Sequence, residues 1–247
     1  MVPLLHALKR ILAVIDFALL TLVLYLLTWI PVIGRGAVKS LFRVWCRAFV
    51  RALDVDLRLH QHHRAALPAR FILIANHPSA FEDIGIPALF NVVSLAKVQV
   101  QDWFVVGRIS KAAGTLFVDR DDPASRQQSI ETMVQAVQSG CNIALYPEGG
   151  CKGRRLFSEF KSGAFEVAIR TGVPIVPVFL HYEAQDDFEW QAPYTLPQKL
   201  FHMAFSRNRT ANYHVFDPID PKGFQDKSAL KAEAYRVFER ANARFLE

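Results

Sequence analysis

A long apolar segment lies near the start of the chain, between Ile11 and Ile33. Its polar interruptions are only Asp16, Thr21 and Thr28. Such a segment could cross a bilayer, lie along the bilayer interface or serve as a signal peptide. No small-x-small cleavage site follows it, which disfavours the signal peptide. Because an acid at bilayer depth is costly, Asp16 favours the interfacial position over the spanning one.

The next segment, AVKSLFRVWCRAFVRAL (37–53), repeats its apolar residues at helical spacing, and Pro31 and Gly34 predict a break between the two helices. Its basic residues recur every four positions and form a stripe, at Lys39, Arg43, Arg47 and Arg51. Like charges at this spacing repel each other unless an anion lies alongside. A solvated helix face is one interpretation. The neighbouring apolar helix favours the other, an anionic membrane surface.

Short apolar runs alternate with helical stretches through the rest of the chain. The predicted strands are 71–75, 92–98, 115–118, 142–146, 174–180 and 212–216. Asp122 caps a predicted helix that begins at Pro123 and ends at Gly140, and residues 226–247 predict an amphipathic helix. This alternation predicts an α/β fold with a mixed, largely parallel sheet flanked by helices, preceded by an N-terminal apolar helix pair.

We predict two parts in the 247-residue chain: a membrane-associating helical segment (1–56) and an α/β domain (57–247). The hydrophobic fraction of 51% is more than a soluble core requires and makes a membrane a candidate partner. The net charge of +6 favours anionic partners such as lipid headgroups, nucleic acid or phosphorylated substrates. No nucleic-acid-binding module is recognisable, so we expect no nucleic-acid partner.

Cysteine and histidine spacing gives no metal or disulfide pattern. The three cysteines lack paired spacing, and this favours a reducing, cytoplasmic setting. His60, His62 and His63 lie close together but without a nearby set of acids or cysteines, so they predict a solvated turn rather than a metal site.

The segment FILIANHPSAFEDIG (71–85) places a histidine and two acids directly after an apolar strand. Active sites in open α/β sheets collect at the carboxyl ends of strands. A carboxylate that orients an imidazole makes it a general base toward a hydroxyl group. His77 with Glu82 or Asp83 offers that pair, although a histidine at a strand end is more often a structural hydrogen bonder.

Three further segments favour a catalytic role for His77: GTLFVDR (114–120), LYPEGGCKGRRLFSEFKSGAFEVA (145–168) and GVPIVPV (172–178). With 71–85, in this order, they resemble the 1-acylglycerol-3-phosphate acyltransferase family and its lysophospholipid acyltransferase relatives. The resemblance covers Phe71 to Val178 and implies the glycerolipid acyltransferase fold.

The resemblance also implies a mechanism. In the family, a histidine–acid motif deprotonates a hydroxyl group of the acceptor, which attacks the thioester of acyl-CoA or acyl-carrier protein. By match His77 is the base, and Arg120 looks like a ligand for the acceptor phosphate. The substrate-binding residues implied by the match are Asn76, Gly114, Arg120, Glu148, Gly149 and Lys161. Such enzymes need no metal and no cofactor beyond the acyl donor.

Two departures from the family pattern matter. The usual spacing makes Glu82 the acid, whereas some relatives have a longer spacing and a proline after the histidine, which favours Asp83 here. Successive residues on a helix point about 100° apart, so the two acids do not face His77 equally.

The second departure is Cys151, which stands where a common family form has an arginine. Some lysophosphatidylcholine acyltransferases look similar there. Positive charge remains nearby at Arg120, Lys152, Arg154, Arg155 and Lys161. A cysteine among cations could act as a nucleophile. The histidine motif already supplies a mechanism, so we do not predict that role for Cys151.

The sequence therefore predicts a membrane-associated O-acyltransferase on the cytoplasmic face of the inner membrane. Its expected partners are an anionic membrane surface, a lyso-lipid acceptor, and acyl-CoA or acyl-carrier protein. The acceptor that the resemblance implies first is 1-acylglycerol-3-phosphate. A lyso-aminolipid or a lysophosphatidylcholine-like acceptor stays open, as does a non-catalytic lipid-binding protein.

Overall fold

The computed structural model describes residues 2–30, 35–151, 153 and 156–247. The chain divides into two compact units. The first consists of Met1–Val55 and Asp83–Ser129, and the second of Asp56–Glu82 and Ile130–Glu247. The predicted boundary between 1–56 and 57–247 lies one residue after the boundary between Val55 and Asp56. The predicted division differs from these units because 83–129 joins the N-terminal helices, with which its helix at 106–112 packs.

The second unit is built on a five-stranded sheet with the order β1-β7-β6-β2-β5. The β6–β7 pair is antiparallel and the other neighbours are parallel, so the predicted mixed, largely parallel sheet is confirmed. Its strands are β1 (Asp56–Gln61), β2 (Ile72–Ala75), β5 (Ile143–Leu145), β6 (Ile175–Tyr182) and β7 (Thr210–Val215). Its helices are α6 (Gly163–Thr171), α7 (Gln185–Phe188), α8 (Leu196–Phe205) and α9 (Lys227–Phe245).

The first unit is mainly helical and contains a parallel strand pair, β3 (Val93–Lys97) and β4 (Leu116–Val118). Its helices are α1 (Val2–Leu27), α2 (Arg35–Ala52) and α4 (Val106–Ala112). Two more helices run across the boundaries of the units: α3 (Glu82–Leu89) and α5 (Pro123–Gln138). Asp122 caps α5 by accepting hydrogen bonds from the backbone N–H groups of Ala124 and Ser125, as the sequence predicted.

An aromatic cluster joins α1 to α2. The Trp45 ring lies 5.4 Å from the Phe17 ring, and its Nε1 donates a hydrogen bond to Thr21 Oγ1 at 2.8 Å. The rest of α1 is exposed at Leu4, Leu5, Leu8, Ile11, Leu12, Val14, Ile15, Leu19, Leu22, Val23 and Leu26. We call these residues the apolar face of α1.

In the part of the chain that the structure describes, one helical stretch, Leu4–Leu27, is long and apolar enough to cross a membrane. The predicted apolar segment started at Ile11, whereas the helix already starts at Val2. The residues predicted to break the helices, Pro31 and Gly34, lie outside the described residues, as does Ile33.

All six predicted strands are present, with ends that differ by at most two residues. The strand that sequence analysis missed is β1, which contains His60 and precedes His62. These histidines do not form a solvated turn: His60 Nε2 lies 2.8 Å from Asn212 Oδ1, and His62 Nε2 lies 2.9 Å from His214 Nδ1. Because β1 pairs in parallel with β7 at the sheet edge and is mostly exposed, its polar composition concealed it.

Candidate active site

Strand β2 carries His77 to the carboxyl edge of the sheet. The strand is apolar and fully buried between β5 and β6. Asn76 extends the pairing with its side chain: Nδ2 donates to the carbonyl oxygen of Leu180 at 2.8 Å, and Oδ1 accepts from the Leu180 N–H at 2.7 Å. These two hydrogen bonds fix the backbone immediately before His77.

Strand β5 brings Glu148 to the same edge. Ile74 pairs with Leu145, so His77 and Glu148 each lie three residues beyond this pair. Glu148 Oε2 accepts a hydrogen bond from the His77 backbone N–H at 3.0 Å, and Oε1 accepts one from the Phe157 N–H at 3.3 Å. Burial raises the pKa of Glu148. In this structure the Glu148 carboxyl group therefore holds the backbone of the histidine.

Glu82 is the acid that faces the His77 ring. Its Oε2 lies 3.3 Å from Nδ1 of His77. Its Oε1 accepts hydrogen bonds from the Tyr182 hydroxyl at 2.8 Å and from the Ser79 N–H at 2.9 Å. The Glu82 side chain is completely buried, so its position is fixed from both ends of the carboxyl group.

The expectation that favoured Asp83 over Glu82 is corrected by this geometry. Glu82 has the contact with the imidazole, whereas Asp83 is exposed and belongs to the first unit. A local signal for Glu82 was present in the sequence. The segment from Ser79 to Glu82 has the S-x-x-E pattern of a capping box, and the Ser79 hydroxyl accepts a hydrogen bond from the Phe81 N–H at 3.2 Å.

Protonation of Glu82 decides which nitrogen of His77 is basic. Burial is the main cause that raises the pKa of Glu82 to about 8. When the carboxyl group is ionised, it accepts the hydrogen on Nδ1 of His77 and leaves the lone pair on Nε2. Burial also raises the pKa of Tyr182 well above its ordinary value, so its hydroxyl stays a donor to Glu82.

Tyr146 and Cys151 also lie against the imidazole, and sequence analysis assigned neither of them to the base. The Tyr146 ring stacks on the His77 ring at a centroid distance of 4.1 Å and an interplanar angle of 12°. Cys151 Sγ lies 3.4 Å from Nε2 of His77 and 3.3 Å from the carbonyl oxygen of Ser79. The sequence signal for Tyr146 was its position directly before the PEGG segment.

The other predicted residues of the second unit shape the loop after β5. Gly149 has φ +77°, a conformation that favours glycine, and a Cβ atom there would lie 3.4 Å from Cγ of Lys161. The backbone N–H of Lys161 donates to the carbonyl oxygen of Pro147 at 2.6 Å, while its side chain is exposed. Predicted cations at Lys152, Arg154 and Arg155 lie outside the described residues.

Gly114 and Arg120 belong to the first unit, one on each side of β4. Gly114 lies two residues after the end of α4 and has φ +90°. Arg120 follows β4 after Asp119, and its carbonyl oxygen accepts a hydrogen bond from Arg126 Nη1 at 2.8 Å. Their roles in substrate binding stay predictions.

Among the residues described, no group of three or more His, Cys, Asp or Glu side chains is placed to hold a metal ion. The contacts at the site bring together an imidazole, a carboxyl group that orients it and a thiol.

Comparisons with known proteins agree with the four sequence segments. The Acyltransferase family model matches residues 56–181, just over half of the chain. A 1-acyl-sn-glycerol-3-phosphate acyltransferase of Neisseria meningitidis serogroup B is 24% identical over 189 residues, covering 75% of this chain and 74% of that protein. A lyso-ornithine lipid O-acyltransferase of Pseudomonas aeruginosa is 26% identical over 203 residues, covering 81% and 77%.

Two further similarities come from a vertebrate protein and a crystal structure. Lysophosphatidylcholine acyltransferase 1 of Danio rerio is 34% identical over 139 residues, which are 53% of this chain and 26% of that protein. The crystal structure of the 1-acyl-sn-glycerophosphate (LPA) acyltransferase PlsC from Thermotoga maritima superposes with a TM-score of 0.64, at 19% identity, over 97% of each chain. Together with the family match, these similarities show that the chain belongs to the Acyltransferase family, that of the 1-acylglycerol-3-phosphate and lysophospholipid acyltransferases.

Proposed function

We propose that the protein transfers a fatty acyl group from acyl-CoA or acyl-carrier protein to the free hydroxyl of a lysophospholipid. The observation that carries this proposal is the contact between Glu82 Oε2 and His77 Nδ1 at 3.3 Å. With Nδ1 engaged by the carboxylate, Nε2 is the basic nitrogen, and it takes the proton from the acceptor hydroxyl. The matching family and the names of the relatives support the reaction class.

The reaction requires one proton relay. As Nε2 removes the hydroxyl proton, the acceptor oxygen attacks the thioester carbonyl and forms a tetrahedral intermediate. The intermediate collapses when the bond to the donor sulfur breaks, and the departing thiolate takes the proton from the imidazolium. Glu82 stabilises that imidazolium, while Glu148 holds the His77 backbone and Tyr146 holds the ring plane. We propose that no metal takes part and that no cofactor is needed beyond the acyl donor.

The proposed acceptor is 1-acylglycerol-3-phosphate, with Arg120 as its phosphate ligand. Relatives named for this acceptor align with three quarters of the chain, which supports this choice. A lyso-aminolipid is the second candidate, because a relative named as a lyso-ornithine lipid O-acyltransferase covers 81% of the chain. Cys151 in place of the family arginine bears on this choice, because it removes one positive charge from the loop after β5.

We further propose that the first unit lies against the cytoplasmic leaflet of the inner membrane. The apolar face of α1 is the support, since an exposed apolar surface of this extent is rare on a soluble protein. The basic stripe of α2 is only partly available for headgroups, because Arg47 Nε donates to the Ala88 carbonyl oxygen at 2.9 Å and Arg51 lies 3.3 Å from Asp16. The apolar face of α1 is therefore expected to contribute most of the binding.

The experiment is an acyl-transfer assay with the purified full-length protein in detergent. Labelled acyl-CoA and acyl-carrier protein are each offered with lysophosphatidic acid, lyso-ornithine lipid and lysophosphatidylcholine. We expect transfer to at least one acceptor, with its loss in folded His77→Ala. If the folded wild-type protein transfers to none of them, or if His77→Ala is equally active, the proposal fails and a lipid-binding function takes its place.

A further inference from the structure

Tyr182 is a buried tyrosine whose hydroxyl group points at the carboxyl group beside the base. The hydroxyl donates a hydrogen bond to Glu82 Oε1 at 2.8 Å, and Glu82 Oε2 lies 3.3 Å from Nδ1 of His77. The three side chains therefore form a line of phenol, carboxyl group and imidazole. In this line the carboxyl group lies between the phenol and the imidazole.

Two phenylalanines hold the ring of Tyr182 in place. The ring stacks on Phe188 at a centroid distance of 4.8 Å and an interplanar angle of 15°, and it packs edge to face with Phe81 at 6.2 Å. Both phenylalanines are buried and also pack against each other, at 6.0 Å. Because close packing leaves the phenol little freedom to rotate, its hydroxyl group stays directed at Glu82.

Strand β6 sets the position of Tyr182 along the sheet. Asn76, the residue before His77, forms two hydrogen bonds with the backbone of Leu180, at 2.8 and 2.7 Å. Tyr182 lies two residues beyond Leu180 at the end of the same strand. The two hydrogen bonds that fix the backbone before the base therefore also fix the strand that carries Tyr182.

The carboxyl group of Glu82 supports the base only in its ionised form. Burial opposes ionisation and raises the pKa of Glu82 to about 8, while hydrogen bonds to the carboxyl group, including those from Tyr182 and from the Ser79 N–H, lower it. Glu148 is the second buried carboxyl group at this edge of the sheet, and charge on it repels charge on Glu82. Ionisation of Glu82 therefore depends on its hydrogen-bond donors.

We propose that Tyr182 is a positioning residue for the base: its hydroxyl group stabilises the ionised form of Glu82 and so favours the form of His77 with the lone pair on Nε2. Burial, the charge of Glu82 and the neighbouring Tyr213 raise the pKa of Tyr182 well above its ordinary value, so the phenol keeps its proton. The phenol thus acts as a hydrogen-bond donor and takes no proton from the substrate. This proposal rests on the proposed function for the reaction that the base serves.

The first test is the pH profile of Tyr182→Phe, which removes the hydroxyl group and keeps the ring. The full-length protein is assayed for kcat/KM of acyl transfer from pH 6 to about 9.5, within the range where each variant is folded. We expect the pH of half-maximal kcat/KM to move up by about one unit or more, because one donor to a charged acceptor is lost.

The size of the effect should depend on pH. We expect Tyr182→Phe to lose about 10-fold in kcat/KM at pH 7 and progressively less as the pH rises. A role in folding alone would lower the rate by the same factor at every pH. The matched control is Tyr25→Phe, which removes the hydroxyl group of a tyrosine on α1 in the first unit. Its profile should coincide with that of the wild type.

A second measurement follows Glu82 directly and needs no substrate. Carbon NMR of protein with isotope-labelled glutamate carboxyl groups records the titration of each carboxyl group, and the Glu82 signal is the one that Glu82→Gln lacks. We expect its midpoint at about 8 in the wild type and about one unit or more higher in Tyr182→Phe.

A third variant changes the donor without removing it. A tyrosine with a fluorine atom beside the hydroxyl group is placed at position 182 by site-specific incorporation. Its phenol is more acidic and donates a stronger hydrogen bond, so we expect both midpoints to move down, opposite to their shift in Tyr182→Phe. Thermal unfolding shows whether each variant is folded. If Tyr182→Phe does not fold, the fluorinated protein decides the proposal.

The outcomes separate this proposal from the proposed function. An unchanged Glu82 midpoint in the folded variants at position 182 overturns the Tyr182 proposal, whatever the transfer assay shows. A shifted midpoint with an unshifted rate profile also overturns it, because the base would then not depend on the ionisation of Glu82. If the wild type transfers to no lyso-lipid, the proposed function fails, and the NMR midpoints alone decide whether Tyr182 controls the ionisation of Glu82.

Discussion

The two units place charge and apolar surface in opposite ways. In the first unit, α1 exposes a row of leucine, isoleucine and valine side chains, and its Asp16–Arg51 ion pair has both side chains 63% exposed. In the second unit, Glu82 and Glu148 are buried among hydrogen-bond donors beneath a histidine. The first arrangement is unfavourable in water unless a second apolar phase covers it. The second costs folding free energy, so we expect it where the chemistry of a site requires it.

This difference indicates in which unit we expect catalysis and in which we expect membrane binding. An exposed ion pair is worth little to stability, so the first unit can gain or lose such charges with little effect on its folding. A buried carboxyl group is costly, and each of its oxygens must find a donor. We therefore expect catalysis to depend on single atoms of the second unit, and membrane binding to depend on the summed area of the first.

The largest expected effect is on catalysis, from His77→Ala. Removing the base should lower acyl transfer by about 10³-fold, within the range typical of general base catalysis. The matched control is His6→Ala, which removes an exposed histidine of the first unit that lies 3.3 Å from Asp54. Steady-state transfer assays compare the two. A similar rate for both variants would contradict the assignment of the base to the second unit.

The next effect is on stability, from Asn76→Ala. This change removes two hydrogen bonds to the backbone of Leu180 inside the sheet and leaves that buried N–H and carbonyl unpaired. We expect the free energy of unfolding to fall by about 2–4 kcal/mol in urea titrations. Asn91→Ala, at an exposed position of the first unit, serves as the control and should change it by less than about 0.5 kcal/mol. Equal losses in the free energy of unfolding of the two variants would contradict the expected difference between the units.

A pH-dependent effect should follow from Glu82. Its pKa is raised to about 8, chiefly by burial, so the folded protein binds a proton that the unfolded chain releases near pH 4.5. Stability therefore falls as the pH rises between about 5 and 8, and the effect is a few kcal/mol. Glu148, whose pKa burial also raises, adds to the same slope. Urea titrations across this range should show a weaker decline in Glu82→Gln, because only the Glu148 contribution remains.

The activity should move in the opposite direction over the same range. Only ionised Glu82 leaves the lone pair on Nε2 of His77, so acyl transfer by the wild type should rise with pH while stability falls. A profile of kcat/KM against pH, measured within the range where the protein is folded, checks this. A flat profile between pH 6 and about 8 would show that ionisation of Glu82 does not control the basicity of His77.

The smallest effect is expected from Asp16→Asn in the first unit. The carboxylate lies 3.3 Å from Arg51, but both groups are well exposed, so thermal unfolding should not shift measurably. Sedimentation with anionic vesicles should show binding that is unchanged or up to about five-fold tighter, because one negative charge near the headgroups is lost. Weaker binding to anionic vesicles would show that the ion pair itself shapes the membrane-binding surface.

The sequence could predict those parts of the site that depend on short segments. Strand β2 is a continuous apolar run, so the position of His77 at its carboxyl end followed from the pattern. The parallel arrangement of β2 and β5 likewise placed Glu148 at the same edge. The S-x-x-E pattern at 79–82 is a further local signal for Glu82, which the sequence analysis missed when it favoured Asp83 on the longer family spacing.

The contacts that could not be predicted join residues far apart in the chain. Tyr182 reaches Glu82 across 100 positions, and Cys151 reaches His77 across 74. Such contacts depend on the register of β6 and on the path of a glycine-containing loop, neither of which a periodic pattern specifies. Strand β1 was missed for another reason, since an exposed edge strand lacks the apolar alternation on which strand prediction depends.

The most direct test of the account compares Glu82→Gln with Asp83→Asn. The two substitutions are adjacent, nearly isosteric, and each removes one carboxylate. Glu82 is buried and lies 3.3 Å from the imidazole, whereas Asp83 is exposed. Acyl transfer is measured with the acceptor that the wild type prefers, after both variants are shown to be folded. We predict a fall of about 100-fold for Glu82→Gln and a rate within about three-fold of wild type for Asp83→Asn. A large loss in Asp83→Asn with little change in Glu82→Gln would contradict the account.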